Sequence, residues 1–129
     1  FKPTIKNKNK LKKDLNKMKS INLEKNEDIL EYLSKNNKYR PKLVVGFSAE
    51  TENLNKNSIS KMKKKNCDLI VANDVSKQGR GFNSDYNEVS IIDNNGNIKI
   101  IKKNKKSYIA SKIAEVILDK LLVDDRNFN

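Results

Sequence analysis

The stretch KLVVGFSAETENL, from Lys42 to Leu54, changes periodicity partway along. Leu43, Val44 and Val45 follow Pro41 as a short apolar run, which predicts a buried strand over 42–47. The polar run from Ser48 to Asn53 then opens a predicted helix from about Glu50 to Lys65, whose apolar face is thin: Leu54, Ile59 and Met62. A second apolar run, DLIVA at 68–72, ends in Asn73 and Asp74. Strand, helix, strand is the unit from which parallel sheets are built, and ligands of open α/β sheets sit outside the carboxyl ends of such strands. Gly46-Phe47 and Asn73-Asp74 occupy those ends, where a glycine allows close backbone approach.

Upstream, Ile21 to Lys25 reads as a short strand. Asn26 reads as the N-cap of a helix from Glu27 to about Lys35, with Glu27, Asp28 and Glu31 complementing its dipole and Ile29, Leu30 and Leu33 forming its apolar stripe. Residues 1–19 are lysine-rich and poorly periodic, and are expected to be a mobile basic segment. Downstream, 76–87 is predicted as a loop. EVSIID and NIKIIKK then flank NNG as an antiparallel hairpin. Ser107 is placed as the cap of a last helix carrying Ile109, Ile113, Val116, Ile117 and Leu121 at helical spacing, and 123–129 as a frayed tail. The expected architecture is one α/β domain, Rossmann-like and three-layered. Its body spans 20–122, with a mostly parallel sheet, a C-terminal antiparallel hairpin and too few strands to be complete at the N-terminus. The opening residue is Phe1 rather than Met, which reads as a piece of a longer chain.

Composition limits the chemistry. The 129 residues contain no histidine and one cysteine, Cys67. Histidine-based acid–base catalysis, Ser-His or Cys-His nucleophiles and Cys/His zinc shells are therefore excluded within the chain. A metal would have to be a hard cation on oxygen ligands, such as Mg²⁺ shared with substrate phosphates. Cys67, beside an apolar run, reads as a small core residue, and a lone thiol suits a reducing cytoplasm. No apolar run approaches the roughly 20 residues of a bilayer span. The net charge of +12 admits a polyanionic partner. Lysine, asparagine and isoleucine are abundant together, however, as A/T-rich codon usage makes them, and only Arg40, Arg80 and Arg126 supply the forked donors that base readers favour.

Local phosphate signals are weak. GRGFNS at 79–84 contains a G-x-G with no helix pattern after it, and no Walker A sequence is present. Lys61 and Lys65 stand four apart on one predicted helix face. That spacing fits an anion held between them and equally a solvated lysine face. KLKK at 10–13 carries the same two readings, a flap over a polyphosphate or a solvated tail.

Taken together and in order, the motifs say more. GFSAETENL at 46–54, DLIVANDVS at 68–76 and GFNSDYNEV at 81–89 resemble the C-terminal domain of the phosphopantothenate–cysteine ligases, also called phosphopantothenoylcysteine synthetases. In bacteria these are usually half of a bifunctional coenzyme A biosynthesis flavoprotein. KLKK at 10–13 resembles the family's K-x-K-K flap, KNEDIL at 25–30 its KNPDIL, and FKP at 1–3 its aromatic-basic-proline turn, so the likeness spans nearly the whole chain. The resemblance implies CTP-dependent ligation of 4′-phosphopantothenate with cysteine through an acyl-cytidylate. It implies Lys10 as the activating flap residue and Glu27, Asp28, Ile29, Leu30, Phe47, Lys61 and Lys65 as further CTP contacts, with Gly46 letting the backbone approach the nucleotide. Mg²⁺ accompanies CTP, FMN belongs to a fused decarboxylase part outside this sequence, and the family is typically dimeric.

Glu27 departs from the family's usual proline, which removes a fixed φ at the helix start. The family's R-Y-I-S-N-x-S-S-G-K segment is absent, so this sequence alone is expected to be inactive as a ligase. Two other classes stand beside this reading: a basic nucleic-acid-binding module, supported by charge alone, and a non-catalytic Rossmann-like nucleotide-binding domain.

Overall fold

The computed structural model describes residues 1–4, 22–36, 38–76 and 84–126. Lys10 and the rest of the KLKK flap lie outside the described residues. The 76–87 loop falls only partly within them.

The middle layer is a four-stranded sheet in the order β3-β4-β5-β6, with β3 at Val45–Glu50, β4 at Leu69–Asp74, β5 at Tyr86–Asp93 and β6 at Ile98–Lys105. β3 and β4 pair in parallel, from Val45 opposite Leu69 to Glu50 opposite Asp74, whereas β4–β5 and β5–β6 are antiparallel. The α/β class and the C-terminal hairpin are as expected. The sheet is mixed: a helix links β3 to the parallel β4, whereas β5 and β6 run antiparallel to their neighbours. The hairpin turn holds Gly96 at φ +88°, with Asp93 accepting from the Asn95 and Asn97 backbone N–H groups.

Helices cover both faces, giving three layers. α3 (Lys106–Arg126) places Ile109, Ile113, Val116 and Ile117 over Leu69, Val71, Val89, Ile91 and Ile101. On the opposite face, α1 (Ile29–Lys35) and α2 (Leu54–Lys64) bring Leu30, Ile59 and Met62 onto Val44, Cys67, Ile70 and Ile92. β4 is buried on both faces through Ala72, which is why its sequence is a continuous apolar run. Among the described residues, no helix is long and apolar enough to cross a membrane.

Several boundaries differ from the sequence reading. β3 continues through Gly46 and Phe47 to Glu50, because the parallel ladder and the Val75 N–H bond to the Glu50 carbonyl extend the strand. α2 therefore begins at Leu54, after Asn53 in the left-handed region at φ 47°. The N-cap of α1 is Asp28, not Asn26: its Oδ1 accepts the Glu31 N–H at 3.1 Å, which leaves Glu27 outside the helix. Ser107 is inside α3, which follows β6 directly, and the Lys106 N–H is satisfied by the Asp85 carbonyl. The helix also runs past 123 to Arg126, where a frayed tail was expected. At the other end, Lys2–Pro3 is not part of a loose segment. It forms β1 and pairs antiparallel with β2, Leu23–Glu24.

α2 ends in a Schellman turn. The Cys67 N–H bonds to the Met62 carbonyl at 3.1 Å and the Asn66 N–H to the Lys63 carbonyl at 3.2 Å, with Asn66 left-handed at φ 50°. The Asn66 amide also donates to the Ser34 carbonyl at 3.0 Å. Asn66→Ala removes that bond and puts an ordinary side chain in the left-handed region, so a loss of about 2 kcal/mol is expected. Asn66→Gly should lose less than the Ala variant, since glycine accepts the same backbone. Urea unfolding of both variants checks the order, and an Ala variant as stable as the Gly variant would contradict it.

Candidate functional site

The amino end of α1 and the carboxyl end of α2 meet. The Lys65 ammonium, just past the last turn of α2, donates to the Asp28 carboxylate, which is also the cap of α1. These residues are 37 apart in sequence. The same turn holds α1 by its backbone: the buried Ser34 hydroxyl donates to the Lys65 carbonyl. Arg40 completes the junction. Its guanidinium donates to the Ser34 carbonyl at 3.0 Å, to the Asn66 carbonyl at 3.1 Å and to both oxygens of Asp68 at 3.0 and 2.9 Å. Asp68 Oδ2 in turn accepts the Val44 N–H at 2.7 Å, which locks the start of β3.

In front of this junction lies an open groove of about 790 Å³, lined among others by Lys2, Lys25, Glu27, Asp28, Tyr32 and Lys35. The Lys65 ammonium holds the Asp28 carboxyl below the usual carboxylate range, and the Glu31 N–H contributes in the same direction. Glu31 is likewise lowered, by Lys35, which it meets at 2.7 Å. Burial pushes the Cys67 thiol up, away from thiolate reactivity, as its reading as a core residue requires.

A second cluster occupies the carboxyl end of the parallel pair. Glu50 and Asp74 stand in register on neighbouring strands, and the Lys61 ammonium lies 2.6 Å from Glu50 Oε1. Ser76 ties Asp74 through its N–H at 3.0 Å and its hydroxyl at 2.6 Å. Next to Asp74, the Asn73 Oδ1 is buried without a hydrogen-bond partner.

The sequence-derived residues thus separate into groups. Asp28 and Lys65 are in contact, and Glu27 lines the same groove. Leu30 belongs to the core, whereas Ile29 is 72 % exposed. Lys61 and Lys65 do not wait for an anion between them, because each already holds a carboxylate. Phe47 is not at a strand end. It lies mid-strand on the edge strand β3, 71 % exposed, and alternates with Gly46 and Ser48, which face the helices α1 and α2. Gly46 also has a packing reason within the fold. A Cβ there would stand 3.1 Å from Cys67 Sγ and 3.3 Å from Leu30 Cδ2, so the glycine makes room for the turn and α1 on the strand. Sequence reasoning missed Arg40 and Glu50. The first is one of only three arginines and precedes a proline; the second sits in the quoted ETEN motif.

Among the described residues, no group of three or more His, Cys, Asp or Glu side chains could hold a metal ion.

The DNA/pantothenate metabolism flavoprotein C-terminal domain family matches residues 1–121. The coenzyme A biosynthesis bifunctional protein CoaBC of Haemophilus influenzae is 40 % identical over 98 residues, 76 % of this chain and 24 % of that protein. A cysteine/cysteine sulfinic acid decarboxylase of an unknown prokaryotic organism is 37 % identical over 118 residues, 92 % of this chain and 32 % of that protein. The chain therefore spans between 24 % and 32 % of these curated relatives. The crystal structure of the C-terminal domain of a coenzyme A biosynthesis bifunctional protein CoaBC superposes with a TM-score of 0.63 at 28 % identity, covering 81 % of this chain and 46 % of that one.

The lowered Asp28 pKa fixes a pH dependence. A carboxyl depressed on folding contributes stability that is complete above the unfolded value of about 3.9 and is lost as pH falls through the folded value. In Lys65→Met, the Asp28 carboxyl should titrate closer to that unfolded value while staying below it, because the Glu31 N–H bond remains. A carboxyl-carbon NMR titration reads this directly, and an unmoved midpoint would show that Lys65 does not set the Asp28 charge.

Proposed function

The chain belongs to the DNA/pantothenate metabolism flavoprotein C-terminal domain family, and we propose that it supplies the nucleotide-binding part of a CTP-dependent phosphopantothenate–cysteine ligase. The observation that carries this reading is the contact between Asp28 and Lys65. Two residues that separate motifs assign to one nucleotide, far apart in sequence, touch, and one of them, Asp28, lines an open groove. The names of the CoaBC relatives, which place those proteins in coenzyme A biosynthesis, support the same reading.

In the proposed reaction, the carboxylate of 4′-phosphopantothenate attacks the α-phosphate of CTP. The bond from the α-phosphorus to the bridging oxygen breaks, pyrophosphate leaves and an acyl-cytidylate forms. The cysteine amine then adds to the acyl carbon, CMP departs, and the amide nitrogen loses its proton. Such chemistry needs charge neutralisation and positioning more than acid–base side chains, which suits a chain without histidine. Lys65 and Lys61 are the phosphate-facing cations of this proposal. Asp28 fixes the amino end of α1 and orients Lys65, and Lys10 supplies charge during activation. Mg²⁺ would be carried chiefly by the phosphates of the nucleotide, because the described residues provide no acidic cage for it. Decarboxylation of the product is assigned to a flavin-binding part outside this chain, and cysteine to a site completed by residues elsewhere in the parent protein.

Two variants of the parent protein test the reading. Lys65→Ala should weaken CTP binding by about 1.5–3 kcal/mol, the worth of one charge-assisted contact. Lys10→Gln should slow pyrophosphate release by about a hundredfold, the low end for losing one preorganised electrostatic contact. The measurement is a single-turnover assay with phosphopantothenate and CTP, cysteine omitted, alongside calorimetric CTP titration. Normal CTP affinity in Lys65→Ala, together with a normal pyrophosphate burst in Lys10→Gln, would overturn the assignment.

A further inference from the structure

Glu50 is the least expected charge near the phosphate-facing lysines. It ends β3, its side chain is 10 % exposed, and its Oε1 is buried. Among the described residues its charge partner is the Lys61 ammonium at 2.6 Å, on a side chain that is 49 % exposed. The pair is thus one-sided, with the carboxylate inside and the ammonium reaching it from the solvent side. The contact lacks hydrogen-bond alignment at Oε1, so it is governed by charge more than by direction.

This arrangement restricts what Lys61 can do when a phosphate arrives. An ammonium has three donors and can face two anions at once. Leaving Glu50 would strand a buried carboxylate without the cation that the described residues give it, which is strongly unfavourable. Lys61 must therefore bridge, with Glu50 behind it and phosphate in front. The phosphate then feels the carboxylate through the ammonium, at a separation of about 5–6 Å if each contact has ordinary ion-pair length. At that distance and an effective dielectric between protein surface and water, one unit of repulsion weakens phosphate binding by about tenfold.

We propose that Glu50 is a charge-balancing positioning residue: it keeps Lys61 at the carboxyl end of the parallel pair while weakening its hold on phosphate, so that the pyrophosphate product is released. The inference rests on the nucleotide reading above and adds a residue with a defined sign. An anion site made of lysines alone would bind product as readily as substrate. A counter-ion built in behind one lysine lowers the affinity for both. The substrate recovers binding through its base and sugar, which pyrophosphate lacks.

The test is Glu50→Gln in the parent protein. Glutamine keeps the size and an acceptor oxygen for Lys61 and removes the charge. Pyrophosphate should then inhibit about tenfold more tightly, the KM for CTP should fall, and kcat should fall with it as product release slows. A residue with a merely structural role would move these constants in the direction of weaker binding. Adding Glu50→Gln to Lys61→Ala should leave pyrophosphate inhibition where Lys61→Ala alone puts it, because the repulsion acts at the phosphate that Lys61 brings close. Unchanged or weaker pyrophosphate inhibition in Glu50→Gln, with the wild-type protein active, would overturn the role of Glu50 alone. A wild-type parent protein with no CTP-dependent ligation would overturn the nucleotide reading, and this inference with it.

Discussion

The four-residue turn from Lys65 to Asp68 is the constraint on which the site depends. α1 is only seven residues long, too short to be stable by itself, and it is held on the sheet largely from this turn. The Lys65 carbonyl and the Asn66 amide take the Ser34 end of the helix, the Lys65 ammonium takes the Asp28 end, and Cys67 packs where Gly46 leaves room. The turn itself is fixed by the Schellman bonds of α2 and by Arg40, which grips Asn66 and Asp68 together. A single Arg40 nitrogen, Nη2, reaches both Asp68 carboxylate oxygens and the Asn66 carbonyl, so it ties Asn66 and Asp68 together by charge-assisted bonds. Loosening any of these contacts would shift the groove wall relative to the lysines of α2.

The electrostatics of the site follow from this geometry. A net charge of +12 alone predicts bare cations at a phosphate site. The structure instead places a carboxylate on each of the two lysines at issue, Asp28 on Lys65 and Glu50 on Lys61. Local neutrality there separates the site from the general positive field of the surface. The field can speed the approach of any polyanion, whereas under the proposed function the paired lysines would respond to one that reaches them with suitable geometry.

How much of this was legible in the sequence depended on the range of the interactions. β4 was readable because burial on both faces makes a continuous apolar run, and the hairpin because NNG supplies a turn that needs a left-handed glycine. α3 was readable from a long apolar period. β3 was cut short because Gly46, Phe47 and Ser48 look like a strand end. Its true end at Glu50 is set by pairing with β4, which local propensity does not contain. The cap of α1 was misplaced by two residues because Asn26 and Asp28 are both good caps, and the Lys65 contact favours Asp28. Within the site, motif order pointed to Asp28 and Lys65. The carboxylate partners of the lysines and the Arg40 clamp are contacts across 11 to 37 positions that only the fold brings together. Phe47 shows the limit of a motif for local structure: its side chain is exposed mid-strand on β3, where its sequence suggested a strand end.

The central claim is that a nucleotide is bound where the amino end of α1 meets the carboxyl end of α2. Hydrogen exchange of the parent protein, followed by mass spectrometry with and without CTP, tests this most directly. The account predicts new protection in peptides covering 25–35 and 61–68, with the hairpin strand 98–105 unchanged. CTP-dependent protection confined to the hairpin, or none at the α1–α2 junction under saturating CTP, would contradict it.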